Sequence, residues 1–223
     1  MTTAVIVQAR MGSKRLPGKV MLPLAAEPVI RHVLRRCQAI PDVTVVCAVP
    51  DEPASEPIEE EAEALGVVVV RGSENDVLAR YHKAARVVEA EAILRVTSDC
   101  PLIDPEICRQ VLALVMGGGA SFASNVIPRG YPKGLDCEAF TMEDLALAHH
   151  RATSASDREH VTPWIRRHAS PVANLNGDLA MGGYRWVLDT MRDYEFLSGV
   201  YQSIPEGDFS WQEVWDLLDQ EDV

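Results

Sequence analysis

An α/β fold built on a mainly parallel sheet follows from three features of the 223-residue sequence. Apolar, β-branched runs of strand length recur, amphipathic helical patterns lie between them, and the two kinds alternate strictly over the first half. The runs are AVIV (4–7), VTVVCAV (43–49), VVVV (67–70) and AILRVT (92–97), continuous stretches that suit strands covered on both faces. EPVIRHVLRRCQAI (27–40) puts Val29, Ile30, Val33, Leu34 and Cys37 on one stripe. DVLARYHKAARVVEAEA (76–92) repeats the pattern with Val77, Leu78, Tyr81, Ala85 and Val88. Strand–helix alternation implies parallel pairing through right-handed crossovers, with ligands bound beyond the carboxyl ends of the strands near a topological switch point. The loop 8–20 and the segment TSDCPLID (97–104) both fall on that rim.

After about residue 120 the alternation loosens. SFASNVI (121–127) and RGYPKGLDCEAF (129–140) read as strands joined by a Gly/Pro turn, a small β-rich insertion of antiparallel character. A helix is expected over 142–152 and another over DREHVTPWIRRH (157–168), with Pro163 near its start or at a kink. YRWVLD (184–189) reads as one more strand and RDYEFLSGVYQSI (192–204) as a helix. No internal repeat or Ser/Gly-rich linker appears. One domain over 1–223 is expected, with a small lobe inserted at about 126–140.

The balance of 33 acidic against 21 basic residues argues against a general nucleic-acid binder, which needs a basic face. The acid is concentrated at 51–63 and 206–222, expected to be solvated helix faces. Five cysteines, odd in number and without a C-x-x-C pair, argue against a disulfide framework or zinc site. Nothing at the amino terminus has the length of a signal peptide, and no apolar run approaches membrane-spanning length, so a reduced, soluble, cytoplasmic protein is expected.

Against this acidic background, QARMGSKRLPGKV (8–20) contains no acidic residue. It is not a phosphate-binding P-loop, because Gly12 and Gly18 enclose five residues rather than four and Val20 stands where Ser or Thr would hold magnesium. The dinucleotide fingerprint G-x-G-x-x-G is missing too. Arg10, Arg15 and Lys19, set among Gly12 and Ser13 directly after a core strand, offer a triphosphate several cationic and N–H donors at once.

The loop resembles the signature A-R-x-x-S-x-R-L-P-x-K of the cytidylyltransferases that make CMP-activated acidic sugars, and most closely their SpsF-type branch of spore-coat polysaccharide biosynthesis. The likeness covers nearly the whole chain. RGSENDVLARY (71–81), RVTSDCPLID (95–104), YPKGLDCEAF (131–140), REHVTPWI (158–165) and WVLDTMRDYEF (186–196) each look like a family block, in family order. The resemblance implies a Rossmann-like nucleotide-diphospho-sugar transferase fold, a mostly parallel mixed sheet flanked by helices.

By the same resemblance, Arg10, Ser13, Arg15 and Lys19 take the triphosphate, with Arg15 and Lys19 as the catalytic cations that neutralise the transition state. The main chain at Ala9 and Gly12 meets the base or ribose. Ser73, Asp76 and Arg80 belong to the segment that closes over the nucleotide, although Asp76 reads equally as the N-cap of the following helix. An aspartate at a strand end is on its own a turn former or cap. Asp99 and Asp189 each follow an expected strand, and two carboxylates on one rim are what Mg2+ accepts beside phosphate oxygens and water. Asp104, before Pro105 and Glu106, looks instead like a helix cap. The acceptor side falls to Gly134, Asp136, Glu138, Arg158 and His160. Asp136 and Glu138 alternate on an expected strand and so share a face. Ser98-Asp99 stands where the family often has Gly-Asp, and Val187-Leu188-Asp189 where it has T-V-D. Both departures keep the carboxylate.

The expected activity is a magnesium-dependent transfer of CMP from CTP to an acidic sugar or related acceptor, with release of pyrophosphate and no covalent enzyme intermediate. The alternatives are a nucleotidyltransferase using another triphosphate, a glycosyltransferase using a nucleotide sugar, and a non-catalytic nucleotide-binding module. Expected partners are CTP and a small anionic acceptor, with no nucleic acid and no membrane. Family precedent adds a homodimer, with the lobe residues Tyr131, Leu135 and Phe140 offered either to an interface or to the core.

Overall fold

The computed structural model describes residues 2–204 and 207–221. The first half follows the predicted alternation. β1 (Thr3–Gln8) leads through a basic loop to the short pair β2 (Pro23–Leu24) and β3 (Glu27–Pro28), then α1 (Val29–Gln38), β4 (Thr44–Pro50), α2 (Glu56–Ala64), β5 (Val68–Gly72), α3 (Val77–Val87) and β6 (Ala92–Thr97). After α4 (Pro105–Met116) come β7 (Phe122–Ser124), β8 (Glu138–Thr141), α5 (Met142–Arg151), α6 (Ala155–His160), α7 (Thr162–His168), β9 (Val172–Asn174), α8 (Met191–Ser203) and α9 (Trp211–Glu221).

Seven strands form one sheet in the order β5-β4-β1-β6-β8-β7-β9. Every neighbouring pair is parallel except those made by β8, which runs antiparallel to both β6 and β7. The chain order reverses direction at β1, so the crevice between the carboxyl ends of β1 and β6 is the switch point. Alternation along the strands sorts the core into two layers. Val5, Val7, Cys47 and Val49 pack with α1, α2, α4 and α8 on one face, while Ala4, Ile6, Val46 and Ala48 pack with α3, α5 and α7 on the other. The Tyr81 hydroxyl, reaching up from α3, donates to the carbonyls of Ile6 and Val96 at 3.0 and 3.3 Å and so pins that helix across both switch-point strands.

Three sequence expectations are corrected in the second half. YRWVLD is extended but is not a strand. Trp186 N–H donates to Lys133 O at 2.6 Å, while Leu188 N–H donates to Asp99 O at 2.8 Å. Its backbone is shared between two loops, so no ladder can propagate. The stretch 157–168 is two helices, because Val161 adopts φ 69° and ψ −60° between them and Pro163 opens the second. The proposed β-rich insertion is shorter in strand than expected: Phe122–Ser124 and Glu138–Thr141 pair antiparallel, and Asp136 lies before the second strand. Leu135 and Phe140 are fully buried within the chain and cannot form an interface. Half-buried Tyr131 stacks edge-on against Trp211.

The acidic stretch 51–63 carries α2, which buries Ile58 and Ala62 and turns most of its glutamates to solvent. Within 206–222, α9 covers the end of the molecule, and Glu206 and Asp222 lie outside the described residues. All five cysteines are buried free thiols, and burial pushes that of Cys47 up to about 12. Among the described residues no helix is long and apolar enough to cross a membrane.

Asp104 is the helix cap expected of it, and it caps two helices. One carboxylate oxygen accepts from Glu106 and Ile107 N–H at 2.9 Å each, and the other accepts from Trp211 N–H at 2.9 Å at the start of α9. Asp104→Ala strands these N–H groups beside a buried position and should lower the unfolding free energy by about 3 kcal/mol in a urea titration. Asp104→Asn, which keeps one acceptor, should lose about half as much.

Candidate active site

The basic loop is pinched at its base. Met11 O accepts from both Ser13 N–H and Gly18 N–H, at 2.9 and 3.0 Å, which closes the intervening residues into a compact bulge. Gly18, at φ 69°, makes the left-handed turn that a side chain would resist, and a single helical turn over Lys19–Met21 follows. The turn delivers Lys19 inward. Its Nζ lies 2.8 Å from Asp99 Oδ2, 3.0 Å from Asp189 Oδ1 and 2.6 Å from Leu188 O.

Both carboxylates are held from behind. Thr97 Oγ1 donates to Asp99 Oδ1 at 2.6 Å. Asp189 Oδ2 receives Arg185 at 2.7 Å and Arg15 at 3.0 Å. Arg185 also pairs with Asp193, whose Oδ2 accepts from the N–H groups of Asp189 and Thr190 in a capping box that starts α8. Burial works to raise the Asp189 carboxyl, but the bonds from Arg185 and Lys19 and the charge of Arg15 outweigh it and hold the group below the usual carboxylate range. Asp193 behaves alike, burial being overcome by Arg185 and the two N–H donors, which bring it down to about 2.

Two cavities meet at these carboxylates. One, of about 430 Å³, is bounded by the basic loop, the carboxyl ends of β1 and β6 and the start of α3. The other, of about 530 Å³, lies over β8 and the amino end of α7. Arg15, Thr97, Asp99, His160 and Asp189 line both, so the two spaces share a wall.

Of the expected nucleotide residues, Ala9, Arg10, Ser13, Arg15, Lys19 and Arg80 line the first cavity; Gly12, Ser73 and Asp76 do not. Asp76 caps α3 through Ala79 N–H at 2.9 Å, which decides between its two readings, and Ser73 supports that turn by accepting from Asp76 N–H. Of the expected acceptor residues, Gly134, Asp136, Glu138 and His160 line the second cavity. Arg158 does not: it clamps Asp76 through Nε and Nη2 at 2.9 and 2.5 Å and donates to His149 O, so it fastens α6 to α3. Asp136 and Glu138 do share a cavity, but each is already paired. Arg129 holds Asp136, while Arg95 and Thr162 hold Glu138 at 2.9 Å each. Gly134 sits at φ 120°, and a Cβ there would lie 2.6 Å from the Trp186 carbonyl, so the two site-bearing segments touch backbone to backbone.

Sequence reasoning passed over several wall residues. Arg95 was visible as the single charge inside the run AILRVT, and Arg185 stands four residues before Asp189. Gln8, Lys14, Lys133 and Arg166 carried no such signal. The side chains of Arg10, Lys14 and Lys133 make no hydrogen bond or ion pair with any described residue, which leaves cationic groups uncommitted in both cavities.

The chain resembles known proteins over this whole arrangement. The cytidylyltransferase family matches residues 4–205. The chain belongs to that family. It is 31% identical to the spore coat polysaccharide biosynthesis protein SpsF of Bacillus subtilis, over 96% of this chain and 93% of that one, which places it in the SpsF-type branch. A solved cytidylyltransferase from Leptospira borgpetersenii superposes with a TM-score of 0.92 at 30% identity, covering 99% of this chain and 95% of the other. The structure of CMP:2-keto-3-deoxy-manno-octonic acid synthetase complexed with CTP shares the fold, with a TM-score of 0.71 at 17% identity over 91% and 99% of the two chains. The nucleotide-diphospho-sugar transferase fold and a nucleotidyltransferase activity are thereby established.

For a cytidylyltransferase, the fit of the site to a divalent cation can be judged from its oxygens. Two carboxylates and one carbonyl converge on a single point, now held by the Lys19 ammonium. That is a hard-oxygen donor set of the kind Mg2+ accepts, with few protein ligands and room for phosphate oxygens. Among the described residues no group of three or more His, Cys, Asp or Glu is placed to hold a metal without such help.

The clamp has a pH signature. A carboxyl whose folded value lies below its unfolded one stabilises the protein fully above the unfolded value, and the contribution is lost as pH falls toward the folded value. For Asp193 that window runs from an ordinary value of 3.8 down to about 2. Asp193→Asn should therefore flatten the acid limb of stability between about pH 4 and pH 2, removing up to ~1.4 kcal/mol per pH unit. Urea midpoints measured across that range read the change. Asp189, shifted in the same direction, leaves a residual slope.

Proposed function

We propose that this cytidylyltransferase transfers CMP from CTP to a hydroxyl of an acidic sugar, with release of pyrophosphate and with Mg2+ as its divalent cation, in the assembly of a surface polysaccharide or glycoconjugate. The observation that carries the proposal is the shared wall. A triphosphate-sized cationic cavity and a second polar cavity meet at Asp99, Asp189 and Arg15, where an α-phosphate and an attacking hydroxyl would have to meet.

Arg10, Ser13 and Lys14 line the first cavity and bind the phosphate chain. Arg15 and Lys19 stand at its junction with the second, and they neutralise the charge that builds on the departing pyrophosphate. Four cations along one loop exceed what a diphosphate needs, which favours a triphosphate donor over a ready-made nucleotide sugar. Asp99 and Asp189 would hold the cation, which supplies charge neutralisation to the phosphates when bound. Lys19 then leaves at least part of its present contact with the two carboxylates and turns its ammonium toward the nucleotide. On the acceptor side, the committed pairs Arg95–Glu138 and Arg129–Asp136 keep fixed hydrogen-bonding edges, and Lys133 is free for an acceptor's anionic group. His160 at the shared wall lies within reach of the acceptor hydroxyl's surroundings.

Thermal unfolding with CTP, UTP, ATP or GTP, each with magnesium or chelator, tests the donor half without a known acceptor. The expected result is a midpoint raised by CTP and raised further by magnesium. Equal shifts with several triphosphates would remove the cytidylyl assignment, and no shift with any would overturn the triphosphate reading. Once an acidic sugar that elicits pyrophosphate release is found, Lys19→Met should lower kcat by about 10²–10³-fold while the fold persists.

A further inference from the structure

The first cavity is lined by two side chains that each carry a buried polar atom the described residues leave without a partner. Gln8 is the last residue of β1, in register with Ala48 and Thr97 on either side. Strand alternation puts its side chain on the face of Ile6, toward α3. Its Oε1 is buried and accepts no hydrogen bond. Arg80, on the first turn of α3, is 2% exposed. Its Nη1 donates to Ser73 O at 2.9 Å, but its Nε is buried and unpartnered. Both residues line the same cavity.

An orphaned buried polar group costs the folded protein roughly 1–3 kcal/mol, and proteins keep few of them. Other unpartnered atoms, on Arg31, Glu59 and Arg95, belong to side chains already tied into ion pairs. Gln8 has no such engagement, and Arg80 forms no ion pair with a described residue. An acceptor and a donor-only guanidinium therefore stand unspent at the inner end of a nucleotide cavity.

We infer that Gln8 and Arg80 form the base-reading pair, Gln8 accepting from the 4-amino group of cytosine and Arg80 donating to its ring acceptors. This inference rests on the CTP reading above and goes beyond it in naming the side chains that choose the base. Cytosine presents one donor, the 4-amino group, followed by the acceptors N3 and O2. Uracil presents O4 as an acceptor and N3–H as a donor. A carboxamide can turn over to serve either 4-substituent, but a guanidinium has no acceptor to offer uracil's N3–H. The pair thus discriminates where a glutamine alone would not. The Ala9 N–H, bound to Ala48 O at 3.1 Å, is already spent on extending the sheet.

The test is calorimetric binding of CTP, its 4-deamino analogue pyrimidin-2-one riboside triphosphate, and inorganic tripolyphosphate, to the wild type, Gln8→Leu and Gln8→Glu. The wild type should prefer CTP over the 4-deamino analogue by about tenfold, the worth of one hydrogen bond in a dry site. Gln8→Leu should bring that ratio to about one while its affinity for tripolyphosphate stays unchanged, and Gln8→Glu, which keeps an acceptor, should retain the preference. A wild-type preference that survives in Gln8→Leu overturns the inference and leaves the CTP reading intact, as does equal binding of CTP and the analogue by the wild type. A wild type that binds tripolyphosphate but binds neither CTP nor its analogue overturns the CTP reading and this inference with it. If Gln8→Leu loses tripolyphosphate as well, Gln8→Glu decides: a retained preference supports the inference, and a lost one overturns it.

Discussion

The architecture of the cleft depends on one ammonium group and the three oxygens around it. Lys19 joins segments 80 and 170 residues away in sequence, the turn after β6 and the extended stretch before α8. Two carboxylates that converge on one point repel each other unless a cation stands between them. In the protein alone that cation is Lys19, backed on one side by Arg15 and Arg185. Buried ion pairs return little net stability once desolvation is counted, so the arrangement is better understood as setting position than as holding the fold together. Both carboxylates are aimed before any ligand arrives, and a divalent cation would meet oxygens already converged. The cost of organising the site is met in folding, which is where preorganisation has to be met if it is to help a reaction.

The sheet explains why the two cavities differ in character. Up to β6 the strands are parallel, and their carboxyl ends open onto a rim lined by backbone N–H groups and the basic loop. β8 then enters antiparallel, so its amino end, not its carboxyl end, lies at that rim. Glu138 at the start of β8 is thereby brought directly opposite Arg95 of β6. A buried pair of this kind would be dangerous to break, since removing one partner strands the other charge. It forms a paired floor for the second cavity, where the first is bounded by a loop. The first cavity carries the cations of the basic loop, and the second pairs most of its charges within the chain.

The first half of this fold was legible because periodicity and position agree there: β-branched runs became β1, β4, β5 and β6, and the stripes of Val29–Cys37 and Val77–Ala85 became α1 and α3. Asp104 could be placed as a cap from Pro105 and Glu106 alone, since capping is a local matter. Asp99 and Asp189 could be brought together only through family likeness and their places after expected strands, because their meeting is a long-range fact. YRWVLD has the composition of a strand, yet the composition says nothing about whether a neighbour is free to pair, and here two loops take its hydrogen bonds instead. Arg158 illustrates the reverse problem. Family likeness assigned it to the acceptor, and the structure puts it against Asp76 and His149, outside both cavities. Gln8 could not be found from sequence at all, since an unpartnered atom exists only in three dimensions.

Val161 shows how the core positions the cleft from inside. A β-branched residue at φ 69° carries strain of about 1–3 kcal/mol, and such strain persists only where the surroundings over-determine it. Here they do. Its side chain is fully buried in the layer shared by α3, α5 and α7, and its N–H is bound to Asp157 O at 3.1 Å. Glycine would relieve the backbone but surrender an apolar side chain whose burial is worth roughly 1.5–3 kcal/mol, so the exchange brings little net gain. The two neighbours of the corner are the ones that matter to the site: His160 enters the wall common to both cavities, and Thr162 donates to Glu138 at 2.9 Å. A freely turning residue between them would leave their directions independent. A buried valine sets them apart, one toward the wall common to both cavities and the other onto Glu138, so that wall is registered to the core and not to solvent-exposed chain.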